Sequence, residues 1–314
     1  MGDGNTPPLS AAKKNKRARF FNQFQLHLLV LPCVALVIVF CYVPMFGLLM
    51  AFQNFRASRG IFGSAFVGLQ NFRNLFMSPD VMQVIYNTII FAVSKIVLLL
   101  VIPLTFALLL NEVRHMKYKR FVQTVTYLPH FLSWVILASI LKDMLDPSGG
   151  IINQALERLF GAQPIFFLGS NRWFRGTVIF TAVWKEFGFS SIVLIAAITG
   201  INPELYESAV VDGADRWKRM WHITLPGILP ILVVVFILNL TNILNGDFNQ
   251  IFNLYNPLVY KTGDIIDTFV YRVGLIDLNY SFATAVGLFK SVVSMAVIVI
   301  GYGIAYRFAN YRIF

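Results

Sequence analysis

Four charged side chains lie inside apolar runs of this 314-residue chain: Lys95, Lys185, Glu186 and Lys290. Three asparagines, Asn239, Asn242 and Asn245, recur at three-residue spacing, so on a helix they fall near one face. Groups of this kind bind rather than react. Their amides and charges offer donors and acceptors to hydroxyls or to a carboxylate. The motifs that would supply catalysis are absent: there is no G-x-S-x-G, no H-E-x-x-H and no phosphate-cradling G-x-x-x-x-G-K-[ST]. His27, His115, His130 and His222 are scattered at the edges of apolar runs. Cys33 and Cys41 share one run, too few for a disulfide framework or a metal site. The sequence therefore predicts no catalytic residue, no metal ligand and no cofactor within this chain. If the protein drives active transport, its energy comes from a partner.

The elements that must position these groups are membrane helices. Charged residues make up 13% of the chain, about half of what soluble domains carry, and Phe alone fills 30 positions. The apolar residues gather into runs near the length that crosses about 30 Å of hydrocarbon. Six spans are expected, at roughly 28–50, 84–110, 124–142, 176–198, 223–244 and 283–306, giving an all-α polytopic membrane helix bundle. The first follows the basic stretch Lys13, Lys14, Lys16, Arg17, Arg19 and reads as an uncleaved signal anchor, because the run is long and lacks a small-residue cleavage site. The segments 143–175 and 245–282 have room for short surface helices.

A formal charge of +11 could suggest nucleic acid, but its distribution points to the membrane. Lys and Arg number five in the N-terminal tail, four in 111–123, three in 199–222 and two in the C-terminal tail. The longer loops 51–83, 143–175 and 245–282 hold eight together. The excess on one side assigns that side, and both termini, to the cytoplasm.

Residues 202–230, NPELYESAVVDGADRWKRMWHITLPGILP, form the most specific loop. Asn202 and Pro203 suit a helix start, with Asn as cap and Pro in the first turn. That helix should run to about Val211 and break at Asp212-Gly213. Asp212 and Asp215 are spaced to cap a second helix reaching about His222, with Trp217, Met220 and Trp221 on one face. Leu225-Pro226 then leads into the fifth span. Such a loop either rests on its own membrane domain or presents a rigid knob to a soluble partner.

The run Glu207-Ser-Ala209-x-x-Asp212-Gly213-Ala214, followed by Ile223-x-Leu225-Pro226, resembles the coupling loop of type I ABC importer permeases. Ser208 stands where the family pattern has Ala, and Trp217 and Trp221 stand near its usual Phe. Val67-Gly68-Leu69-Gln70-Asn71-Phe72 is similar to a feature of the sugar-importing branch. Trp184-Lys185-x-x-Gly188 and Asn245-Gly-Asp-Phe248-Asn-Gln250 look like the polysaccharide and alginate-type permeases. The resemblance spans roughly residues 80–310 and implies the type I ABC importer transmembrane fold. It further implies a bacterial inner-membrane location, a second homologous permease, two ATP-binding cassette subunits holding ATP and Mg, an external solute-binding protein and a carbohydrate substrate. The expected layout is a basic cytoplasmic tail at 1–27 and a first transmembrane helix with its external segment at 28–83. A permease domain at 84–306 contains the coupling loop 199–222, and 307–314 form a cytoplasmic tail.

The polar groups inside the spans then have two readings. Glu186 pairs within the bundle, with Lys95 or Lys290 for example, and the asparagines join helices; or Lys185, Glu186, Asn239, Asn242 and Asn245 line a solute path. In the similar maltose-type permeases, sugar contacts fall in the matching regions of these two spans. An ion- or proton-coupled carrier is the competing function, but it needs intramembrane carboxylates as a relay, and Glu186 is the one clear case.

Overall fold

A computed structural model describes residues 24–241 and 248–309. It is helical almost throughout. Thirteen helices carry the argument: α1 (Phe24–Val37), α2 (Gln70–Met77), α3 (Pro79–Asn111), α4 (Met116–Tyr127), α5 (Trp134–Met144), α6 (Ile151–Phe160), α7 (Phe174–Thr199), α8 (Pro203–Val211), α9 (Arg216–Arg219), α10 (Leu225–Thr241), α11 (Phe248–Leu254), α12 (Ile266–Tyr271) and α13 (Tyr280–Ala309). A minimal antiparallel pair, β1 (Gln53–Asn54) and β2 (Ala65–Phe66), was not expected from the sequence.

Five rods are long and apolar enough to cross a membrane: His27–Phe52, Pro79–Asn111, Phe174–Thr199, Arg216–Leu240 and Tyr280–Gly303. The expected third span differs. It is two helices, Met116–Phe131 and Trp134–Met144, bent by 102° at a short break. Pro129 lies within the Leu128–Phe131 3-10 turn that leads into the break, where it supplies no N–H to continue the α-helical ladder. Leu132 and Ser133 turn extended, and the Ser133 hydroxyl restarts the helix by accepting from the Ile136 N–H at 3.3 Å.

The first rod is exposed over its most apolar stretch, and only its end, at Ala51, is buried, beside α13. Three small cores hold the remainder. Phe91, Phe174, Val178, Ile251 and Ile265 join α3, α7, α11 and the start of α12. Leu75, Val81, Val84, Ile266, Phe269 and Val286 join α2 and α3 to α12 and α13. Ala107, Leu194, Ile198 and Ile228 close α3, α7 and α10 at the end that carries the 199–222 loop. The α3–α7 pair is thus common to two of the cores.

The short elements between the spans are tied down by side-chain amides. Asn87 of α3, fully buried, donates to the Lys261 and Asp264 carbonyls at 3.2 and 3.0 Å. Asn71 donates to the Ala51 and Gln53 carbonyls at 2.9 and 3.0 Å, just after the left-handed turn at Gly68 (φ 59°). That Val67–Phe72 segment therefore fastens the C-terminal end of the first span. The expected short helices of 143–175 and 245–282 are present as α6, α11, α12 and single turns between them.

Candidate functional site

The third-span break lies against the middle of α7, and the two are bound by charge. Lys185 is buried, and its Nζ donates to the His130 carbonyl and to Glu186 Oε1, both at 2.8 Å. The second Glu186 oxygen meets His130 Nδ1 at 2.7 Å. The His130 ring lies flat on Phe189, with centroids 3.8 Å apart, and Phe131 and the Trp134 ring border the same cluster. A helix break inside a membrane is tolerated where protein satisfies the released backbone groups. Here a lysine does so.

Gly188 permits the close approach. A Cβ there would stand 2.2 Å from the Thr126 carbonyl oxygen, so any larger residue would push α4 away from α7. The Trp184-Lys185-x-x-Gly188 motif is thereby accounted for: its glycine admits the neighbouring backbone and its lysine reaches the exposed carbonyl.

The partners expected for Glu186 are not the ones formed. Lys95 instead donates to Gln250 Oε1 at 2.8 Å, and Gln250, fully buried, donates to the Val178 carbonyl at 2.7 Å and Thr181 Oγ1 at 3.0 Å. Lys290 pairs with Asp267 of α12 at 2.5 Å. The reason is geometric: α13 lies against α12, and Lys95 faces α11, so neither lysine is at the break. His130, placed at a membrane edge from the sequence, belongs to the central cluster. Pro129 inside an expected span was the available signal. Gln250 likewise emerges as the anchor of α11.

Glu186 and His130 keep 28% and 30% of their side chains open, so the cluster has an accessible edge. Asn239 is half-buried on α10. Asn242 and Asn245 lie outside the described residues.

At the other end of α7 and α10 the loop folds largely as its sequence requires. α8 runs Pro203–Val211, with Asn202 Oδ1 accepting from the Glu204 N–H at 3.1 Å. Gly213 takes φ 79°, and Ala214 follows with its N–H on the Ala209 carbonyl. Asp215, not Asp212, caps the next helix, accepting from the Lys218 N–H at 2.7 Å; Asp212 ends α8 instead. That next helix is not a separate unit. α9 passes through a π turn (Met220–Thr224) straight into α10, so Leu225 and Pro226 sit within one continuous rod. Glu207, Trp217 and Trp221 stand exposed on this surface. Tyr206 meets the buried Thr224 hydroxyl at 2.9 Å and holds α8 to the rod.

A model of the family described as binding-protein-dependent transport system inner membrane component matches residues 100–311. The polygalacturonan/rhamnogalacturonan transport system permease protein YteP of Bacillus subtilis (strain 168) is 40% identical over 306 residues, 96% of this chain and 95% of that one. Protein LplB of the same organism is 41% identical over 273 residues, 87% of this chain and 86% of its own length. A solved bacterial ABC transporter for import of the acidic polysaccharide alginate contains a chain that superposes with a TM-score of 0.87 at 37% identity, covering 94% of this chain and 99% of that one. A second alginate transporter structure, in complex with an alginate pentasaccharide-bound periplasmic protein, gives 0.85 at 38% identity, with 92% and 96% covered.

Removing the clamp isolates its role. Lys185→Met leaves the His130 carbonyl and one Glu186 oxygen without their donor, a loss on the order of 2 kcal/mol. The purified complex should inactivate at a lower temperature. Unchanged thermal inactivation with uptake abolished would instead make Lys185 a solute contact.

Proposed function

We propose, from the premise that this chain belongs to the family of binding-protein-dependent transport system inner membrane components, that it conducts an acidic oligosaccharide inward across the membrane. Membership makes the chain a multi-pass permease subunit of an ABC importer. It is not an enzyme, ATP is consumed on separate subunits, and the ion-coupled carrier is set aside. The observation that carries the acidic solute is the naming of the matched proteins. YteP is named for polygalacturonan, a uronic acid polymer, and both solved transporters for alginate. The complex on this reading contains a second homologous permease, two ATP-binding cassette subunits with Mg, and an external solute-binding protein.

The solute path is assigned to the fourth and fifth spans, near Lys185, Glu186, Asn239, Asn242 and Asn245. Its support is the accessible edge of the Glu186–His130 pair beside the exposed Phe131 and Phe189 rings, since sugars use polar groups at their rims and aromatic rings against their faces. The coupling surface is assigned to Glu207, Ala209, Asp212, Gly213, Ala214, Trp217, Trp221, Leu225 and Pro226. The exposed indoles on a short, capped, two-helix projection fit a groove in a soluble ATPase. Both termini are assigned to the cytoplasm from the Lys and Arg distribution.

Three measurements test these assignments. In proteoliposomes holding the intact complex, oligogalacturonate or oligoalginate presented with the binding protein should raise ATPase activity several-fold. Equal stimulation by neutral maltooligosaccharides would refute an acidic preference. Gly213→Val places a β-branched residue at positive φ, which costs about 1–2 kcal/mol and re-aims the turn. It should leave the complex assembled while uptake falls away from ATP hydrolysis; wild-type coupling would remove Gly213 from the assignment. A reporter that fluoresces only in the cytoplasm, fused after Phe314, should be bright, and a dark but stable fusion would reverse the topology.

A further inference from the structure

On the sixth span, Lys290 and Asp267 form an ion pair about midway along the Tyr280–Gly303 apolar rod. The pair is not enclosed: 13% of the lysine and 26% of the aspartate side chain remain open. It borders a groove of about 450 Å³ lined by Gly287, Ser291, Ser294, Met295 and Ile298. An ion pair open to hydrocarbon at this depth costs several kcal/mol, so lipid is a poor cover for it. Either water or another protein helix lies there.

The details favour a helix. Ser291 and Ser294 turn their hydroxyls back onto the Gly287 and Lys290 carbonyls at 3.0 and 2.9 Å, and the lysine is already paired. A solute-lined wall would present such donors outward. Gly287, Ser291 and Ser294 follow at four- and three-residue spacing, the small-residue pattern that lets membrane helices approach closely. Among the described residues nothing stands within 4 Å of where a Gly287 Cβ would be, so that face of the helix is open to a close neighbour. Met295 and Val299, 65% and 63% exposed, supply an apolar margin.

We propose that this seam receives a membrane-spanning helix of the companion permease, with a small residue opposite Gly287 and a hydroxyl or amide donating to Asp267. The inference rests on the paired-permease reading. Lys290–Asp267 is then an interfacial pair, completed by the partner rather than by solute.

Gly287→Leu tests it, because the added side chain meets open space among the described residues. Recovery of the companion permease with the tagged variant should fall about tenfold, equivalent to ~1.4 kcal/mol. Undiminished recovery overturns the proposal. In a second measurement, p-benzoylphenylalanine at Met295 should photo-crosslink to the companion permease. Adducts with lipid alone overturn the proposal. So does rapid labelling of Ser294→Cys, in a Cys33→Ser, Cys41→Ser background, by a water-borne thiol reagent with protection by solute, which would assign the groove to the solute path. Absence of a second permease from the wild-type complex would sink the pairing itself, a failure distinct from these.

Discussion

No water reaches a free carbonyl in a membrane interior, and the third span turns one out at His130. Much of the central architecture answers that constraint. α7 brings Lys185 to the carbonyl, Glu186 neutralises the lysine and grips the His130 ring, and Gly188 lets the two backbones come close enough for this to happen. Each member satisfies another. The cluster is consequently stable at a depth where any single charge would be costly, and it still leaves one polar and aromatic edge open.

The same economy recurs at the periphery, with amides in place of charges. Asn71 fastens the end of the first span, Asn87 fastens the segment before α12, and Gln250 fastens α11 to α7. Asn71 and Asn87 each satisfy two carbonyls of the short connecting elements, whereas Gln250 bonds one carbonyl and one hydroxyl of α7. An unmade hydrogen bond on a buried group costs about 1–3 kcal/mol, so these residues bear on segment placement out of proportion to their size. Gln250 also receives Lys95, which joins α3, α7 and α11 through one buried network.

At the opposite end of the same rods the fusion of α9 with α10 has a mechanical meaning. A displacement of Trp217 or Trp221 has no loop in which to be absorbed before it reaches the fifth span, whereas α8 is joined to the rod by the Gly213 turn and the Tyr206–Thr224 hydrogen bond. On the proposed coupling role, the fifth span moves with the docked surface while α8 adjusts around it. The π turn at Met220–Thr224 and Pro230 further along are irregularities within that rod.

Composition and the length of apolar runs alone determined the helical membrane class, because hydrocarbon admits few ways of satisfying a backbone. Local rules also placed α8 to the residue, since Asn202, Pro203 and the Gly213 turn act over a few positions. The Glu207–Ala214 and Ile223–Pro226 pattern identified the permease family. Tertiary structure alone decided the partners of the buried charges. Lys95, Lys185, Glu186 and Lys290 carry no sequence mark of which neighbour they meet, and the choice followed from which helices touch: α7 with the Pro129 break, α3 with α11, α13 with α12. Pro129 signalled an irregular point in the span, but the outcome depended on Lys185, 55 residues after His130, reaching the carbonyl of that residue. Ion pairing across a bundle is a property of depth and facing, and neither is encoded within a single span.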